Sequence, residues 1–348
     1  MIAAGIVDAT LDGKRATPIH GRPVAGIAAR AEPIALVVRG GLVESVHAGH
    51  VVALDAVGRT VLSAGDPEVT FFPRSALKPL QAVAMLRAGL DLDGPLLALA
   101  AASHTGEPDH LRGVRRILGR AGLTEADLGN TPDRPLDPDA GARWWAAGRA
   151  AEPVAQNCSG KHAAMLATCV AAGWDTAGYL GQDHPLQRTI RAVVEELTGV
   201  VAAHIAVDGC GAPLLSTTPI GLARAFARIA GAPPGTPEGR VAEALRGHPW
   251  WAAGTGRCAT RLVAAVPGLI AKDGADGVLA AALPDGRAMA LKVLDGSARP
   301  VPAVAAAVLG ALGAGGPALA EAGQVDVLGG GTPVGTVQAL VGVAPPAR

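Results

Sequence analysis

The spacing of apolar residues changes twice along this chain. Between residues 33 and 63, short period-two apolar runs are separated by turn residues at Gly40-Gly41, at Gly49 and from Asp55 to Gly58. That pattern predicts an antiparallel meander. From Ser75 the period lengthens: Leu77, Leu80, Val83 and Leu86 share one helical face, so a core-facing helix is expected there. Residues 108–123 and 184–199 repeat the pattern, the second stopping at Gly199, and 216–230 and 236–246 also read as helices. Residues 267–295 return to strands, with Pro284-Asp285-Gly286 as a hairpin turn. Residues 1–25 show no clear period, and the Pro/Gly-rich stretch 232–239 reads as a loop.

Strands, then helices, then strands, without regular alternation, argue against a doubly wound parallel sheet. They predict an α+β fold in which an antiparallel sheet is flanked by helices. One compact domain over 1–348 is expected, its first 30 residues a variable lead-in.

Composition narrows the function. The 348 residues carry zero net charge, and aromatics make up 3%. Such a chain has neither the positive field nor the stacking platforms of a nucleic-acid binder. The Ala- and Gly-rich segment 303–320 is too short and too broken to span a membrane. Asp8, Lys14 and Arg15 precede any apolar run long enough for a signal peptide, so a cytoplasmic protein is expected. Cys158, Cys169, Cys210 and Cys258 are then expected to be reduced, metal-bound or buried and not disulfide-bonded.

Of the 30 basic residues only five are lysines: Lys14, Lys78, Lys161, Lys272 and Lys292. A guanidinium keeps its proton near neutral pH, whereas a desolvated amine can lose it. The lysines therefore mark where to look for chemistry. Ser75 and Lys78 stand three apart where a helix begins, on one face. Pro79 fits there only in the first turn. Lys78 could take the Ser75 proton with Arg74 adding positive charge, or Ser75 could be a helix cap beside a surface lysine. Ser103-His104-Thr105-Gly106-Glu107 follows a strand-like apolar run. It either points polar groups into a cleft or starts the next helix. Asn157 to His162 enters a further helix, and 208–213 is a tight turn. Cys158 and Cys210 could pair as metal thiolates with His162 as a third ligand, or be plain buried cysteines. Cys169 and Cys258 read as packing residues. Lys272 sits at a strand end, while Lys292 and Lys14 are expected to face solvent.

Taken together, RSALKPLQA, ASHTGE with PDH after it, NCSGKHAAML, DHPLQ, DGCGAP and GLIAKDGADG resemble the rhizobial-type L-asparaginases, sometimes called class 3. The segments occur in the same order and span roughly residues 30 to 340. The resemblance implies a fold like that of the serine β-lactamases, penicillin-binding proteins and glutaminases, and a homodimer. It implies two Ser-Lys tandems, Ser75 with Lys78 and Ser103 with Lys272. It implies a zinc ion held by Cys158, Lys161 and Cys210, with Lys161 in the place that the residues alone suggested for His162. Arg74, His162 and Asp208 would then surround the substrate, L-asparagine. The expected reaction is hydrolysis of the side-chain amide with Ser75 as nucleophile, Lys78 as its base and Ser103 with Lys272 relaying protons, or the reverse assignment, with zinc orienting rather than hydrolysing. Glutamine or a β-lactam is the alternative substrate, and a non-catalytic amino-acid- or zinc-binding protein the alternative class.

Overall fold

The computed structural model describes residues 26–341, so the lead-in before residue 26, Lys14 included, lies outside the described residues. The meander is present as β1 (Glu32–Arg39), β2 (Leu42–Leu54) and β3 (Thr60–Ala64). Its turns fall at Gly40-Gly41 and at 55–58, but not at Gly49, which lies inside the long β2. A side chain at Gly49 would run into the Lys292 carbonyl of a neighbouring strand. The glycine marks a close backbone approach, not a break.

Six helices follow: α1 (Lys78–Arg87), α2 (Gly94–Ala100), α3 (Pro108–Arg120), α4 (Pro138–Ala146), α5 (Ser159–Ala172) and α6 (Pro185–Thr198). A small ribbon, β4 (Ile205–Val207) with β5 (Pro213–Leu215), precedes α7 (Pro219–Ala230), α8 (Pro237–Gly247), α9 (Pro249–Ala253) and α10 (Cys258–Ala265). The chain then adds β6 (Ile270–Gly274), β7 (Val278–Ala282) and β8 (Ala288–Val293). It closes with α11 (Val301–Ala311), α12 (Pro317–Gly323), β9 (Asp326–Gly329) and β10 (Thr332–Ala339). Proline opens most of these helices, at positions whose N–H has no intrahelical partner anyway.

The main sheet runs β6-β7-β8-β2-β1-β10-β9, with β3 paired off β2, and every pairing is antiparallel. Alternate residues of its strands feed two cores. Val52, Leu54, Ala280, Ala282, Ala288 and Ala290 pack under the layer containing α1 to α8. Val51, Ala53, Leu279, Ala281, Met289 and Leu291 pack against α10 to α12. With both faces covered, β7 and β8 are buried throughout. This is the expected fold class.

Two local expectations fail for one reason, burial on all sides. The apolar run before Ser103 is α2, a helix without a polar face to reveal its period. Lys292 does not face solvent: it is 9% exposed, and its Nζ donates to the carbonyls of Asp276 and Val293.

Candidate active site

A 3-10 turn over Arg74–Leu77 leads into α1, whose first two residues are Lys78 and Pro79, the placement Pro79 requires. The Ser75 carbonyl accepts the Lys78 backbone N–H, but the Ser75 hydroxyl caps neither helix. Lys78 instead runs inward and is 2% exposed. Its Nζ stands 2.5 Å from the Ala102 carbonyl, 2.9 Å from Ser103 Oγ and 3.0 Å from Cys158 Sγ.

Ser103 lies in segment 102–107, a loop buried along almost its whole length. A buried loop needs a partner for each backbone polar group. Here Ser103 N donates to Ala252 O at 3.1 Å, His104 N to Asn157 O at 3.1 Å, and Asp137 N to Thr105 O at 2.8 Å. Gly106 N donates to His104 Nδ1, so His104 presents Nε2–H to Ser159 Oγ at 2.9 Å. Thr105 and Thr255 both donate to Glu107, tying this loop to the one before α10. The capping alternative for Ser103 therefore fails, because its hydroxyl faces Lys78.

The pairing differs from the expected tandems. Among the described residues Ser75 Oγ makes no hydrogen bond to Lys78, and Lys272 makes none to Ser103. Lys272, 0% exposed, donates to the carbonyl and Oδ1 of Asp273, both at 2.8 Å. Ser75 stands in the turn before α1, and the long lysine arm ends on the neighbouring loop. All the same, Ser75 and Ser103 line one cleft of about 350 Å³, together with Asn157, Arg257, Asp273 and Asp276. Cys258, expected only as packing, lines it too.

Cys158 immediately precedes α5 without capping it, and Cys210 sits on the β4–β5 turn. With Ala212 they form a small buried cluster. Lys161 Nζ donates to Cys210 Sγ at 3.2 Å. A hydrogen bond from Cys210 and the charges of Lys78 and Lys161 pull the Cys158 thiol well below the usual thiol range. His162 is fully buried, with Nδ1 2.7 Å from the Tyr179 hydroxyl and Nε2 without a partner among the described residues, and it does not line the cleft. Burial pushes its pKa well below the ordinary histidine value.

Arg74 donates from Nε to Asp208 Oδ1 at 2.7 Å and from Nη1 to Asp276. Arg74 and Asp276 are the two non-glycine residues with positive φ among those described, at 54° and 59°. Each such conformation costs about 1–3 kcal/mol, and here the two strained residues hold one another beside the serines. Lys272 is pushed below the ordinary lysine value by burial, opposed by Asp273 and aided by the charge of Lys78. For Asp273, burial acts upward, but Lys272 and Arg257 overcome it and hold the carboxyl well below its usual range.

Ser75 and Ser103 thus line one cleft, and Lys78 joins Ser103 to the buried Cys158–Cys210 pair. The sequence profile of the L-asparaginase II family matches residues 35–339. The chain belongs to the L-asparaginase II family. Membership makes it an amidohydrolase acting on a small molecule. A search of curated proteins finds no match. Among solved structures the chain is similar to a putative beta-lactamase from Bacteroides dorei (13% identity, 70% of this chain and 84% of that one, TM-score 0.39). It is also similar to a beta-lactamase from Mycobacterium bovis (14%, 72% and 88%, TM-score 0.40). A third is EstCE1, a hydrolase with promiscuous acyltransferase activity (14%, 80% and 92%, TM-score 0.37). Arg257, Asp273 and Asp276 were not singled out in the sequence. The two aspartates lie within the quoted GLIAKDGADG segment, whereas Arg257 stands in a loop with no local signal.

Proposed function

We propose that the protein hydrolyses the side-chain amide of L-asparagine to L-aspartate and ammonia through a lysine-assisted serine. The observation that carries this reading is the contact between Lys78 Nζ and Ser103 Oγ at 2.9 Å at a cleft of amino-acid size. As a neutral amine, Lys78 keeps two N–H bonds on Ala102 O and Cys158 Sγ and turns its lone pair to the Ser103 O–H. Ser103 Oγ attacks the amide carbon as its proton passes to Lys78. The ammonium of Lys78 then protonates the leaving nitrogen, and the C–N bond breaks to release ammonia. Water, deprotonated by the same amine, attacks the resulting ester and frees aspartate and the serine.

A second reading has its own observation. Ser75 Oγ lines the cleft and makes no hydrogen bond among the described residues, which leaves it free to attack, with Ser103 and Lys78 relaying protons. Quenching turnover with acid and locating the acylated peptide by mass spectrometry separates the two, since residues 75 and 103 fall in different peptides.

Cys158, Lys161 and Cys210 fit a zinc ion by donor chemistry: two thiol sulfurs and one amine, all buried and in mutual contact. Among the described residues no three His, Cys, Asp or Glu side chains gather to hold a metal, so the third donor is the amine, which must be neutral to coordinate. When bound, zinc supplies Lewis-acid polarisation and orientation beside the serines. The test of the whole reading is ammonia release from asparagine and glutamine, with and without added zinc. Faster release from asparagine supports it; binding of asparagine without any ammonia makes the protein a binder instead. One methylene is worth only ~1–3 kcal/mol of discrimination, so glutamine should be poorer, not inert.

A further inference from the structure

We propose that Arg257 anchors the α-carboxylate of the substrate, so that the cleft selects free α-amino acids carrying a side-chain amide. This rests on the reading of the cleft as an amide-hydrolysing site. Arg74, the expected substrate-facing arginine, already spends its guanidinium on two carboxylates, Asp208 and Asp276. It is also absent from the cleft lining. Arg257 is in the lining, and it is the one cation among the described residues there. It donates from Nη2 to Asp273 Oδ2 at 2.7 Å, and among the described residues its buried Nε has no partner. Its side chain remains 40% exposed.

Asp273 does not cancel this cation. Its carboxylate is shared between Arg257 and Lys272, and Asp276, the other acidic residue of the lining, is held by Arg74, so Arg257 keeps donor capacity for a second anion. The shared aspartate also fixes the guanidinium plane, as a carboxylate-binding fork requires. Arg257 immediately precedes α10, and its side chain caps none of that helix's leading N–H groups, whose dipole end adds to the attraction for an anion. A substrate carboxylate held there lies in the same cleft as both serines.

The test compares ammonia release from L-asparagine, from succinamic acid, which lacks the α-amino group, and from 3-aminopropanamide, which lacks the carboxylate. Arg257→Gln should lower kcat/KM for the first two by about ten- to a hundredfold, chiefly through KM, the loss expected for a charge-assisted hydrogen bond. It should leave 3-aminopropanamide unchanged, and Arg257→Lys should recover part of the loss. Equal losses on all three amides, or none on asparagine, overturn the assignment. Calorimetric binding of L-aspartate separates this from the reaction itself. If the unmodified protein releases no ammonia, the hydrolase reading fails, but loss of aspartate binding in Arg257→Gln still supports the anchor. Unchanged binding, or no binding to the unmodified protein, overturns it.

Discussion

Lys78 ends among a carbonyl, a hydroxyl and a thiol, and it is the residue on which the proposed chemistry turns. An arginine there would keep positive charge but could not accept a proton. Lys78→Arg is therefore expected to lower kcat by about 10²–10⁴-fold, the usual worth of a general base. A coupled ammonia assay measures it, and near-normal turnover would remove Lys78 from the mechanism. The scarcity of lysine in the chain was a legible signal, and it led to Lys78, Lys161 and Lys272. Lys161 meets Cys210 as the resemblance implied, but the partners of Lys78 and Lys272 were not legible. The Ser75–Lys78 spacing is local, whereas the arm of Lys78 reaches a loop 25 positions away. Arg257 gave no signal at all, because one arginine in a glycine-rich loop looks like any other until the fold turns it toward a cleft.

At the level of elements, the site depends on how closely α5 approaches α2. A β-carbon at Gly160, in the first turn of α5, would stand 2.5 Å from the Leu99 carbonyl of α2. The chain leaving α2 becomes the buried loop that carries Ser103, while the start of α5 carries Cys158 and Lys161. Gly160→Ala should push the two apart and destabilise the fold by about 1–3 kcal/mol, the range for an overpacked core position. The urea midpoint would fall accordingly, and ammonia release with it. An unchanged midpoint would mean the helices have slack. Helices with one polar face were readable from their period, as α3 and α6 illustrate. Where burial is complete the period vanishes, which is why α2 resembled a strand and why Gly49 passed for a turn.

On the scale of the whole molecule, three buried histidines tie stability to pH: His162, described above, and two more. His104 accepts from Gly106 N and gives Nε2–H to Ser159, which uses both nitrogens of a neutral ring. His110 donates to the Trp250 carbonyl and stacks on the Trp250 ring. Burial pushes both below the ordinary histidine value, well below in the case of His104. The unfolded chain therefore binds protons in a range where the folded chain does not. Their contribution is complete above about pH 6.5 and is lost as the pH falls below it, by at most about 1.4 kcal/mol per pH unit for each histidine. Denaturant titrations at pH 7 and 5.5 should show the loss; a flat profile would mean that the rings are charged in the folded protein. The overall architecture was readable because strand and helix periods alternate in long blocks, but the two-sided burial of β8 that hides Lys292 was not.

The described lysines, at 0–9% exposure, are all interior, and arginine carries the positive surface. A protease that cuts only after lysine should therefore find nothing to cleave between residues 26 and 341 until the fold opens. An amine-reactive acylating reagent should likewise modify that region at the rate of local opening rather than on contact. The protein thus carries its own unfolding clock, read by mass spectrometry peptide by peptide, with the peptide containing residue 78 reporting on the candidate site.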